Sequence, residues 1–83
     1  MKTLDAAQTK RNNDFIDLLL ETTQLRNDAA LSRALVVAPP VISKIRHGHL
    51  PVGASLLISA HEISNLSIKE MKRVLFEQLP EDV

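Results

Sequence analysis

The stretch Asn27 to Gly48, NDAALSRALVVAPPVISKIRHG, decides how the rest of the chain is read. Asn27 suits the position just before a helix, where its side-chain oxygen accepts an otherwise unpaired backbone N–H. Asp28 suits the positive end of the helix dipole. Ala30, Leu31, Ala34 and Leu35 recur at helical spacing and predict a helix over 28–35 with Arg33 outward. Val36, Val37 and Ala38 form an apolar connection too short for a true loop. Pro39 opens a second helix, because its ring presets φ and the first helical position needs no N–H. Ile42 and Ile45 face inward, Val41 lies at the edge, and Ser43, Lys44 and Arg46 are expected outward. Gly48 suits the left-handed position that ends a helix.

The chain on either side reads as further helix. Phe15, Leu18, Leu19, Thr22 and Leu25 make one face of a helix predicted over about 13–24, with Asn12 or Asn13 as its cap. Ile16 and Leu20 flank that face, either as a widened core stripe or as a subunit contact. Residues 1–12 read as an N-terminal arm or a frayed helix start. After the loop 49–53, Leu56, Leu57, Ala60 and Ile63 mark a helix over about 54–64 that Asn65 can close. Ser67 and Glu70 form a capping box for a last helix running to about Leu79, with Ile68, Met71, Leu75 and Leu79 inward and Pro80 as its stop. The expectation is an all-α, compact five-helix bundle: one domain over 13–79, followed by a short tail, 80–83.

Composition agrees with a small aliphatic helical core. Of 83 residues 45% are apolar, yet only two are Phe and none is Trp or Tyr. With no cysteine there is no disulfide framework or thiolate metal site. No apolar run approaches the roughly 20 residues that span a bilayer. The net charge is zero, but it is unevenly spread: residues 1–25 sum to −1, 26–50 to +3 and 51–83 to −2. The basic excess falls on the opening stretch, where contact with a polyanion would need it. Three histidines without a carboxylate at ligand spacing give no metal site. Neither a nucleophile elbow, a phosphate loop nor paired carboxylates appear, so no enzyme and no cofactor are expected.

The order of these residues resembles the lambda repressor/Cro-like (XRE-type) helix-turn-helix domains over about 13–79. Leu31-Ser32 stands where that family has Leu-Ala. Leu35-Val36-Val37 stands at its Leu-Gly-Val turn, and Ile42-Ser43-Lys44-Ile45 matches its Ile-Ser-x-Ile core. Arg46-His47-Gly48 takes the place of Glu-x-Gly, Pro51 matches the loop proline, and Leu66-Ser67-Ile68-Lys69-Glu70-Met71 resembles its ending. Three departures stand out. Val36 replaces the turn glycine, in a conformation costly for a β-branched residue, which predicts a reshaped turn. Ala38 replaces a Ser or Thr cap. Pro39 and Pro40 occupy positions where related proteins place hydrogen-bonding side chains; they can instead pack on a thymine methyl.

The resemblance implies that the second and third helices form a helix-turn-helix and that the third enters the major groove of duplex DNA. Base-edge candidates are then Pro39, Pro40, Val41, Ser43 and Lys44. Phosphate candidates are Arg26, Asn27, Arg33, Arg46, His47 and His49. It implies a cytoplasmic transcriptional regulator, a bacterial or phage repressor, acting as a homodimer on a palindromic operator. Val74, Phe76 and Leu79 of the last helix are the favoured subunit contact, with Ile16 and Leu20 as the other choice. The competing expectation is a protein-interaction module on the same fold, such as an antitoxin that binds a toxin.

Overall fold

The computed structural model describes residues 5–76, and these form five helices with no strand among them: α1 (Ala6–Thr23), α2 (Asp28–Leu35), α3 (Pro39–Arg46), α4 (Ala54–Ser64) and α5 (Ile68–Phe76). The end of the last helix at Leu79, the stop at Pro80 and the tail 80–83 lie outside the described residues. α1 is the central element and packs against the other four helices. Its buried side is accordingly wide: Phe15, Ile16 and Leu19 are all enclosed, with Leu20 packed beside them. Ile16 therefore belongs to the core and is not a subunit surface. Thr22, placed by spacing on the buried face, is exposed.

The first helix starts earlier than the apolar pattern indicates. Asp5, not Asn12 or Asn13, caps it, its side chain accepting the Gln8 N–H at 2.7 Å. Residues 6–12 are thus helix rather than arm. The inward side of this turn is polar, which removes the hydrophobic periodicity that would announce it. Gln8 Nε2 donates to Asn12 Oδ1 and to the Leu75 carbonyl, each at 2.9 Å, so the start of α1 is bonded to the end of α5. Asn12 is 1% exposed, and its Nδ2 has no hydrogen-bond partner.

Elsewhere local chemistry sets the boundaries where the sequence places them. Asn27 caps α2 by accepting the Ala30 N–H at 2.9 Å. Pro39 and Pro40 fill the first turn of α3, Gly48 follows it at φ +77°, and Asn65 closes α4 at φ +63°. The capping box of α5 has both bonds, Glu70 N–H to Ser67 Oγ and Ser67 N–H to Glu70 Oε1. The Ser67 backbone N–H, and then its hydroxyl, hold the Glu70 carboxyl below its ordinary range. This cap contributes above the usual glutamate pKa and fades as pH falls through the lowered one. Leu31, Leu35, Ile42, Ile45, Leu56, Leu57, Ala60, Met71 and Leu75 complete the core.

Three described non-glycine residues, Gln24, Val36 and Asn65, lie in the left-handed region, and Val36 is the β-branched one. Val36 ends α2 in the left-handed region, at φ 59° and ψ 48°, and its N–H still reaches the Arg33 carbonyl. The turn therefore keeps the geometry a glycine would give it, against the expectation that valine reshapes it. The side chain is 88% exposed and gains little packing in return. Replacing Val36 by Gly should raise stability by about 0.5–1 kcal/mol, the left-handed penalty less glycine's extra entropy, as read from urea midpoints. At Gly48, a Cβ would lie 2.5 Å from Thr9 Oγ1 on α1. Gly48→Ala should cost about 1–3 kcal/mol. Pairing it with Thr9→Ala should recover only the steric part in the same unfolding measurement.

Candidate functional site

α3 is eight residues long, and its exposures sort its side chains into two sides. Ile42 and Ile45 are buried, and Val41 and Arg46 are half-buried. Pro39, Pro40, Ser43, Lys44 and His47 are exposed. The exposed set follows i, i+1, i+4, i+5, i+8 spacing, which is one continuous stripe on a helix. The structure thus brings together four of the five expected base-edge residues and adds His47 from the phosphate set. Val41 departs from it. Together with Ile45 it lines a cleft of about 330 Å³, whose other walls include Val36, Leu50, Pro51 and Leu56.

Along the stripe the chemistry changes from apolar to polar. Pro39 and Pro40 have no N–H, Ala38 gives no side-chain cap, and the Val41 N–H is taken by the Ala38 carbonyl at 2.9 Å. The leading turn of α3 therefore offers no hydrogen-bond donor. Donors begin one turn later with the Ser43 hydroxyl and the Lys44 ammonium. His47 Nδ1 lies 2.8 Å from the Ser43 carbonyl. A carbonyl only accepts, so Nδ1 carries the proton and Nε2 faces outward as an acceptor when the ring is neutral. No carboxylate occurs in α3.

Arg46 departs furthest from expectation. Read as outward and available to phosphate, it is turned back against α1 and α2. Its Nε and Nη2 form a two-pronged bond to Asp28, at 2.6 and 3.0 Å. Nη1 donates to Asn13 Oδ1 at 2.8 Å and Nη2 to Asp17 Oδ1 at 2.9 Å. Asn13 returns a bond from Nδ2 to the Arg46 carbonyl at 2.9 Å. The Asp28 hydrogen bonds, and then those of Asp17, raise the guanidinium pKa further above its already high value. The physical reason is distance along the chain. The partners are 18 to 33 residues away, so spacing within α3 carries no trace of them.

Arg26, Arg33 and Lys44 remain as exposed cations with no ion-pair partner among the described residues, and His49 is exposed in the loop after α3. Asn27 stands at the start of α2, but its side-chain oxygen is committed to the Ala30 N–H. Val74 is half-buried against the core and Phe76 is 43% exposed. Leu79 lies outside the described residues. No group of three metal-ligating side chains occurs among the described residues, and no described helix is long and apolar enough to cross a membrane. Compared with protein-family models, curated protein sequences and solved structures, the chain matches none.

The Arg46 network makes a direct forecast. Arg46→Ala should destabilise the fold by about 1–2 kcal/mol, since the bonds are charge-assisted but partly wet. Arg46→Lys should recover less than half of that, because an ammonium cannot hold a carboxylate with two parallel bonds. Chemical denaturation of the three proteins side by side measures both.

Proposed function

We propose that the chain is a sequence-specific duplex-DNA-binding regulator in which α2 and α3 form a helix-turn-helix and α3 enters the major groove. The observation that carries this reading is the exposed stripe Pro39, Pro40, Ser43, Lys44 and His47 on a short helix free of carboxylates. A tight three-residue turn joins that helix to another that packs against it. Lys44 and Ser43 are the base-edge donors, and Arg26, Arg33 and His49 are the phosphate contacts. Arg46 drops out of the contact set and becomes the residue that orients α3.

One such helix covers too few base pairs for useful selectivity, so the functional form is a homodimer. It would set its two recognition helices about 34 Å apart on a palindromic site. The exposure of Phe76, beside Val74 at the end of α5, favours that end as the subunit contact. The reading makes the chain a cytoplasmic repressor of the lambda repressor/Cro-like type.

A second reading is favoured by the other exposed apolar residues, Val36 at 88% and Ile58 at 55%. A protein-interaction module on the same scaffold, such as an antitoxin, would cover them with a partner protein.

DNA titrations separate the two. Binding to genomic fragments should weaken steeply and linearly in log–log form as salt rises, with one palindrome preferred. Failure to retain any fragment at low salt would remove the regulator reading and leave the interaction module. Lys44→Ala should weaken binding to the preferred site by about 1–2 kcal/mol, roughly 5- to 30-fold. Its helical circular dichroism should stay unchanged, because the Lys44 side chain makes no bond within the described fold.

A further inference from the structure

The donor-free leading end of α3 bears on what the chain would recognise, and the inference drawn from it rests on the regulator reading above. Pro39 and Pro40 are both exposed, and their rings present carbon, not polar atoms, at the front of the stripe. Neither proline has a backbone N–H, Ala38 has no polar side-chain atom, and the Val41 N–H is already bonded. From Pro39 to Val41 no donor is left for a base acceptor or a phosphate oxygen. The flanking charge is nevertheless suited to a polyanion, since Lys44 is exposed on the same stripe and α3 carries no acid.

Of the chemical groups on the floor of the major groove, only one is apolar. It is the methyl on pyrimidine C5, present in thymine and in 5-methylcytosine and absent from uracil and cytosine. A polar edge facing these prolines would lose its water and gain no bond, which costs free energy. A methyl group loses nothing by the same contact.

We propose that Pro39 and Pro40 form a methyl-reading tip, so that the chain selects duplexes bearing C5-methylated pyrimidines at the positions under the start of α3. Ser43 and Lys44, one turn further on, read the polar edges of the adjacent pairs. Recognition by this helix is thus divided along its length, methyl groups first and donors second. A consequence is that a cytosine at the tip position is accepted when methylated and disfavoured when bare.

The test uses the whole chain and the duplex it selects from a random-sequence pool. Each thymine of that duplex is replaced singly by deoxyuridine, which deletes the methyl and leaves every base-pairing group in place. At one or two positions per half-site the dissociation constant should rise about fourfold for each methyl group lost from the contact. Changing that thymine pair to cytosine–guanine should weaken binding, and 5-methylcytosine in the same place should recover part of the loss. In Pro40→Gln the ratio of deoxyuridine to thymine dissociation constants should fall toward one. That ratio reports on the methyl contact whatever the variant does to overall stability.

Equal binding of thymine and deoxyuridine duplexes at every position would overturn the methyl-reading tip and leave the regulator reading standing. An unchanged ratio in Pro40→Gln would likewise overturn the assignment to the prolines. If no duplex is selected at low salt, the proposed function falls and this inference with it.

Discussion

The guanidinium of Arg46 is the point on which the three N-terminal helices agree. It reaches from the end of α3 to Asp28 at the start of α2 and to Asn13 and Asp17 in the middle of α1. The apolar contacts bring these helices together, but such contacts are non-directional and leave rotation about a helix axis loosely fixed. A planar fork with fixed donor directions fixes it. Asn13 adds a second constraint by accepting from the Arg46 side chain while donating to its carbonyl. Burial of Ile42 and Ile45 turns Ser43, Lys44 and His47 out. The Arg46 bonds then hold α3 in that rotation.

Much of the fold was legible where the deciding chemistry is local. Asn27, Pro39, Gly48, Asn65 and the Ser67–Glu70 pair act on backbone groups within a few residues, and the helix boundaries they set agree with the sequence reading. What was illegible depends on partners far along the chain. Residues 6–12 are helical with a polar inner side because Gln8 finds a carbonyl on α5. Ile16 is core because α1 is surrounded on several sides. Arg46 looks like a surface cation until three acceptors from other helices are in place. Of the candidate site, periodicity alone placed Ser43 and Lys44 outward, whereas the departures of Val41 and Arg46 required the packing.

Val36 sets local comfort against the use of a surface. A β-branched residue in the left-handed region is costly, and burial would be the ordinary compensation. Here the side chain stays in water at the edge of an apolar cleft. The fold tolerates this because two of the three backbone N–H groups of the turn keep acceptors, Val36 on Arg33 and Val37 on Ser32. The hydrogen-bonded frame determines the turn, and the residue conforms to it.

The bond from Gln8 to the Leu75 carbonyl also has a bearing on the order of events as the chain is made. It joins residues 67 positions apart. Closing so long a loop is entropically slow to be rewarded, since the ordering is required before the contact forms. On a ribosome, α1 would keep Gln8 and Asn12 hydrated until nearly the last described residues appear. Of the described helices, the one made first is then the last to be fully housed, and they close as one cooperative unit only once Leu75 is available.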